Sequence, residues 1–121
     1  MEKRRFQRVP FKATCELGYY DISEAGQVET LSLNGAMISF SDSLMVPEGE
    51  VCSLTVFLAG EKTQLLFKVV VVYSTLFRIH VQFVSCEEST RLCLVNLMET
   101  LSLEPEQLRK ELQLLGWKVA D

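Results

Sequence analysis

The residues from Leu76 to Val84 read LFRIHVQFV and alternate with a period of two. The apolar positions of this stretch are Phe77, Ile79, Val81 and Phe83. The polar positions between them are Arg78, His80 and Gln82. Because successive side chains of a strand point to opposite faces, this pattern predicts a β-strand with one buried and one polar face.

Five further stretches upstream are rich in strand formers. They cover residues 13–20, 27–31, 36–40, 50–59 and 63–73. Turn signals separate them: the DISEAG segment at 21–26, a short loop at Ser32–Gly35, a Pro- and Gly-containing loop at 42–50, and the pair Gly60 and Glu61. About six strands with short connections and no intervening helix are typical of an antiparallel barrel or sandwich, so the fold class is mainly β.

The pattern changes to helical spacing after Cys86. Glu87 and Glu88 suit the first turn of a helix, and leucine, valine and methionine then recur at helical intervals to residue 101. A second helix follows, with Ser102 as a possible cap and Pro105 in the first turn. Its apolar stripe consists of Leu108, Leu112 and Leu115, and Gly116 ends it.

Charge is distributed unevenly along the 121 residues. The net charge is −4, yet residues 1–12 hold five basic side chains and one glutamate, a net +4, which leaves −8 on the rest. A nucleic-acid-binding domain normally presents a broad basic face, so this balance argues against DNA or RNA as a partner. With 48% hydrophobic residues, the length suits one domain.

Cysteine and histidine usage argues against metal or catalytic chemistry. The four cysteines lack CxxC spacing and the chain has one histidine, so no zinc site is predicted. We also predict no enzyme activity and no catalytic residues, because no nucleophile adjoins His80 and no Gly-rich phosphate loop follows a strand. No signal peptide or membrane span is apparent, which predicts a cytoplasmic protein without membrane insertion.

The basic segment KRRFQRVPF at residues 3–11 is the most distinctive charged feature. Arginine grips phosphates and guanine edges bidentately, so a cluster of three within five residues predicts an anion site; a solvated charge run is the alternative. The predicted organisation is a flexible arm at 1–12, a barrel with the first helix at 13–101, and an additional helix at 102–121.

Two spaced motifs carry a family resemblance. Arg4 and Arg8 form RxxxR, and Thr30, Ser32 and Gly35 form a loop of the type xxSxxG. With the late strand FRIHVQFV, the chain resembles the PilZ domain over roughly residues 2–100. The resemblance implies a six-stranded antiparallel barrel with a helix at its end, and cyclic di-GMP as the ligand, with no cofactor or metal.

The resemblance also implies a set of ligand-binding residues. Arg4 and Arg8 would wrap the ligand and Arg5 would reach a phosphate. Thr30, Ser32 and Gly35 would meet the ligand from the loop. The alternative for Asn34 and Gly35 is an ordinary Asn-Gly turn, and both interpretations can hold at once. Further candidates are Asn34, Phe77 and His80. Phe77 either stacks on a base or is an aromatic residue of the core or of the rim.

Two positions depart from the family pattern. Thr30 stands where the family usually has Asp or Asn, and a hydroxyl is a poorer acceptor for guanine than a carboxylate. His80 stands where Gly is common, and it either crowds the ligand or is a polar strand residue facing solvent.

These features lead to two functional hypotheses. The first is a stand-alone cyclic di-GMP receptor that changes conformation and signals to an unidentified partner protein controlling motility, adhesion or exopolysaccharide. The alternative is a PilZ-like interaction module that does not bind cyclic di-GMP. In that case the additional helix offers a partner or homodimer surface, unless it packs on its own barrel.

Overall fold

The computed structural model describes residues 6–58 and 63–116. Its six strands are β1 (Val9–Tyr19), β2 (Ile22–Leu31), β3 (Gly35–Ser39), β4 (Val51–Phe57), β5 (Gln64–Ser74) and β6 (Arg78–Cys86). Two helices follow, α1 (Glu88–Leu101) and α2 (Pro105–Leu115). The predicted mainly-β fold with two C-terminal helices is confirmed.

The six strands close into an antiparallel barrel in the order β1-β2-β3-β6-β5-β4, which settles the choice between barrel and sandwich. β1 pairs with β4 to close it. The non-local pair β3–β6 runs from Gly35 opposite Gln82 to Ser39 opposite Arg78. This pairing brings the Ser32–Gly35 loop beside the middle of β6.

The alternation of β6 largely corresponds to its burial. Ile79 and Val81 are buried in the barrel and Phe83 is partly buried. Phe77 is an exception, because β6 begins only at Arg78 and the Phe77 side chain is 51% exposed. Its carbonyl accepts a hydrogen bond from the Phe40 amide at 2.9 Å, which places Phe77 in the connection before the strand.

Two predicted boundaries at the start of the barrel differ from the structure. β1 begins at Val9, so residues 9–12, which the sequence assigned to the arm, form strand. The first hairpin turns at Tyr20 and Asp21 instead of across 21–26, and Tyr20 adopts a positive φ of 54°. The predicted turn at Gly60 and Glu61 lies outside the described residues.

The two helices pack against the barrel. Leu94 and Met98 of α1 and Leu108 and Leu112 of α2 belong to the same buried apolar cluster as the barrel interior. The leucine stripe of α2 therefore packs back onto its own domain. None of the described helices is long and apolar enough to cross a membrane.

The start of α2 corrects the predicted cap. Glu104, not Ser102, occupies the N-cap position, and Pro105 is the first helical residue. The Ser102 hydroxyl instead accepts a hydrogen bond from the Glu104 amide at 3.0 Å. The helix ends at Gly116, whose φ of 70° is left-handed as expected for a terminating glycine.

Candidate functional site

An open cavity of about 490 Å³ lies where the N-terminal segment, the Ser32–Gly35 loop, the barrel wall and α2 meet. It is lined by Phe6, Arg8, Thr30, Ser32, Asn34, Gly35, Ala36, Met37, Val72, His80, Val81, Gln82, Leu114 and Leu115. The lining combines hydroxyl, amide and cationic groups with an apolar wall. Such a surface suits binding of a ligand that has both polar edges and flat apolar faces.

Most of the described candidates from the sequence meet in this cavity. Arg8 and all three positions of the xxSxxG loop line it, although more than twenty residues separate the two motifs. Asn34 and His80 line it as well, whereas Phe77 does not. Arg4 and Arg5 lie outside the described residues.

The Ser32 hydroxyl holds the loop in shape. It accepts hydrogen bonds from the Gly35 amide at 3.0 Å and the Asn34 amide at 3.1 Å, and it donates to the Gly35 carbonyl at 3.2 Å. The Ser32 amide also donates to the Gly35 carbonyl at 2.9 Å. Since Ser32 is buried, these contacts make it the centre of a tight turn that reverses the chain between β2 and β3.

Gly35 is required by a close approach of backbone. A Cβ atom at this position would lie 2.1 Å from the Val81 carbonyl oxygen and 3.2 Å from the Gln82 Cα. The φ angle of Gly35 does not lie in the left-handed region. Among the glycines that the structure describes, Gly49 and Gly116 adopt a positive φ. A glycine is therefore needed here because the backbone of β6 approaches closely.

Thr30 lies beside an irregularity in the sheet. It is opposite Pro10 on β1 and Met37 on β3, and the β2–β3 register shifts between Val28 and Thr30. The extra residue, Glu29, forms an ion pair with Lys12 and accepts a 2.6 Å hydrogen bond from the Ser39 hydroxyl. Bulges re-aim neighbouring side chains, and here Thr30 is half-buried at the cavity.

His80 is half-buried on β6, opposite Met37. Its ring lies 5.6 Å from the Tyr73 ring in a T-shaped arrangement with an interplanar angle of 66°. The ring therefore forms part of the cavity wall, with Tyr73 beside it. Among the described lining residues, Arg8 and His80 are the ionisable ones.

The comparisons with known proteins agree with this geometry. The model of the PilZ domain family matches residues 2–100. The chain belongs to the PilZ domain family. No curated protein sequence matches it.

Solved structures share the fold at low sequence identity. The PilZ domain of YcgR from Escherichia coli, solved with c-di-GMP, is 17% identical with a TM-score of 0.69, over 90% of this chain and 97% of that one. The PilZ domain of CeSA from a cellulose-synthesizing bacterium is 18% identical with a TM-score of 0.61, over 75% and 93%. MotI/DgrA, the Bacillus subtilis inhibitor of motility, is 14% identical with a TM-score of 0.64, over 93% of this chain but only 53% of its own length.

Several cavity residues were not identified from the sequence. Phe6 lies inside the arginine motif, and its aromatic ring between basic residues was an available signal. Leu114 and Leu115 belong to α2, which follows the residues that match the PilZ family. No local pattern indicates which barrel opening a C-terminal helix will border, so this wall could be found only from the structure.

The described part of the chain offers no metal-binding cluster: residues 6–58 and 63–116 contain no group of three or more His, Cys, Asp or Glu placed to hold an ion. The described lining of the cavity also contains no carboxylate or thiol. What this lining supplies is a cation, hydrogen-bonding groups and apolar contact.

Proposed function

We propose that this PilZ domain is a receptor for cyclic di-GMP. The observation that carries the proposal is that Arg8 of the RxxxR motif and Thr30, Ser32 and Gly35 of the loop motif line one cavity. The structure of the YcgR PilZ domain with c-di-GMP supports the same ligand class for this barrel.

The chemistry of the cavity suits this ligand. Each guanine offers O6 and N7 as paired acceptors, which an arginine fork matches, and the phosphates attract the same cations. Arg8 is exposed at the cavity, and Arg4 and Arg5 would add two more guanidinium groups from the arm. The apolar wall of Met37, Leu114 and Leu115 would contact the base faces.

Thr30 lowers the expected affinity. A carboxylate at this position would accept charge-assisted hydrogen bonds from guanine, each worth about 1.5–3 kcal/mol. The neutral hydroxyl of Thr30 accepts only weaker hydrogen bonds without this charge assistance. We therefore expect binding about one to two decades weaker than in a domain with Asp at this position. The receptor would respond to correspondingly higher ligand concentrations.

Signalling would follow from a change of conformation at the arginine motif, in which Gln7 is already held by hydrogen bonds to Glu111. Ligand between the motif and the loop would fix the Arg4 and Arg5 side chains against it and create a new surface. We propose that a separate protein, acting in motility, adhesion or exopolysaccharide export, recognises that surface. The structural likeness to the inhibitor of motility MotI/DgrA supports the first of these outputs.

Titration calorimetry with cyclic di-GMP tests the proposal, with GTP as the control for general phosphate affinity. We expect micromolar binding, about −8 kcal/mol, for the wild-type chain and its loss in Arg4→Ala/Arg8→Ala. The matched control is Lys68→Ala/Arg78→Ala, which removes two charges from exposed positions that do not line the cavity. Retained affinity in the first variant, or equal loss in both, would refute the assignment.

Exposed leucines favour a second candidate function, a protein interaction module that does not bind cyclic di-GMP. Leu103, between the two helices, is 95% exposed and Leu114 is 58% exposed. In that case cyclic di-GMP would give no heat and no rise in Tm at high concentration, and Leu103→Ser would reduce self-association or partner capture. Binding of cyclic di-GMP by the wild-type chain would favour the receptor over the interaction module.

A further inference from the structure

Gln7, directly before the second arginine of the RxxxR motif, is held by hydrogen bonds to α2 and to the residues that precede it. Its backbone amide donates to Glu111 Oε2 at 3.1 Å. Its side-chain amide donates to the Glu104 carbonyl and to Glu111 Oε2, both at 3.4 Å, and its Oε1 accepts from the Ser102 hydroxyl at 2.7 Å. Gln7 is therefore attached to α2 and to the turn that precedes this helix.

Glu111 is an unusual residue at the buried face of a helix. It is 0% exposed, between the leucines that pack α2 onto the barrel, whereas Glu104 and Glu106 at the start of the helix are exposed. Its Oε1 atom has no hydrogen-bond partner among the described residues. Burial of a carboxyl group is costly unless its hydrogen bonds are satisfied, so an apolar residue would serve the packing better. The described side-chain hydrogen bonds of Glu111 all go to Gln7.

The two sides of the N-terminal segment have different contacts. Phe6 and Arg8 line the cavity, while Gln7 between them contacts Ser102, Glu104 and Glu111. Alternation of this kind is expected for extended chain. Fixing Gln7 therefore fixes where its two neighbours meet the cavity. A segment held in place before the ligand arrives loses less conformational entropy on binding.

We propose that Glu111 is a positioning residue of the ligand site: through the backbone of Gln7 it holds Phe6 and Arg8 at the cavity. α2 follows the residues that match the PilZ family, and it becomes part of the site because it supplies both this anchor and two leucines of the cavity wall. The inference rests on the proposed function only for the identity of the ligand.

Three substitutions separate positioning from stability. Glu111→Leu keeps the volume and removes the acceptor, and Glu111→Gln keeps an oxygen that accepts from the Gln7 amide. Glu106→Leu is the matched control, because it removes an exposed carboxylate from the same helix. We expect Glu111→Leu to weaken cyclic di-GMP binding about 10- to 100-fold without lowering Tm, since it removes the acceptor of two Gln7 hydrogen bonds that hold the segment before the ligand arrives. Glu111→Gln and Glu106→Leu should stay within about threefold of the wild type.

Hydrogen exchange of the Gln7 amide, followed by NMR without ligand, tests the anchor independently of the nucleotide. We expect protection in the wild type and in Glu111→Gln, and fast exchange in Glu111→Leu. An unprotected Gln7 amide in the wild type would overturn the proposal even where a variant fails to fold. Unchanged affinity in a folded Glu111→Leu variant would also overturn it. A protected amide in a wild-type chain that does not bind would instead refute the ligand and leave the anchor standing.

Discussion

Replacing Gly35 by alanine should lower the stability of the barrel, because the added methyl group would overlap the backbone of β6. The added Cβ would lie 2.1 Å from the Val81 carbonyl oxygen, whereas ordinary contacts of this kind lie at 3.4–4 Å. The neighbouring atoms belong to the backbone of β6, so no side-chain rotation can relieve the overlap. β3 and β6 would have to separate by more than about 1 Å where Gly35 pairs with Gln82.

The magnitude follows from two contributions. Overpacking costs about 1–3 kcal/mol, and each ladder hydrogen bond lost between β3 and β6 adds about 0.5–1.5 kcal/mol. We therefore expect Gly35→Ala to lower the free energy of unfolding by about 2–4 kcal/mol. For a chain of this size each kcal/mol shifts Tm by roughly 3–6 °C, so the loss is easily measured by urea and thermal unfolding.

Gly18→Ala is the matched control. Its Cβ would meet the Ser53 hydroxyl at 2.4 Å, but Ser53 is exposed and its side chain can rotate away. Alanine also lowers the entropy of the unfolded chain, so we expect a change within about 0.5 kcal/mol or a small gain. A loss below about 1 kcal/mol for Gly35→Ala, or equal losses for the two variants, would refute the steric argument.

Two further predictions concern buried polar groups. Ser32→Ala should lower the free energy of unfolding by about 1–3 kcal/mol, because it removes the acceptor of the Asn34 and Gly35 amides, and a loss below about 0.5 kcal/mol in urea unfolding would contradict this. Burial raises the pKa of Cys15 to about 11, against a smaller lowering by the Gly26 backbone. Since this folded-state pKa lies above its ordinary value of 9.0, stability should be full below pH 9 and fall as pH rises toward about 11. Urea unfolding over this range should show a shallower decline in Cys15→Ala, and identical slopes would contradict the assignment.

Alternation along the strands was a reliable signal because it is local. Ile79 and Val81 are buried as the pattern of β6 predicts. The first hairpin was misplaced because its turn uses Tyr20 at a positive φ, a residue type without turn preference. Residues 23–26, which look like loop from composition, pair with 15–18 of β1. Tertiary pairing there overrides local propensity.

Part of the candidate site could also be predicted from local sequence, and part depends on how distant segments pack. Arg8 and the Ser32–Gly35 loop were visible as motifs, since each lies within a few consecutive positions. The hydrogen bonds of Ser32 within the turn and the close approach of Gly35 to β6 could not be predicted from the sequence. The second of these depends on which strand lies opposite the loop. The contribution of Leu114 and Leu115 depends on how α2 packs, which its leucine stripe does not specify.

The hydrogen bonds between Gln7 and Glu111 join residues 104 positions apart in the chain. During synthesis the ribosome adds about 5–20 residues per second, so Glu111 is made seconds after the last barrel strand ends at Cys86. A nascent chain would therefore hold a complete set of barrel strands while Gln7 still lacks this anchor. The arginine segment is translated before α2, so its attachment to α2 can form only after all six barrel strands have been made.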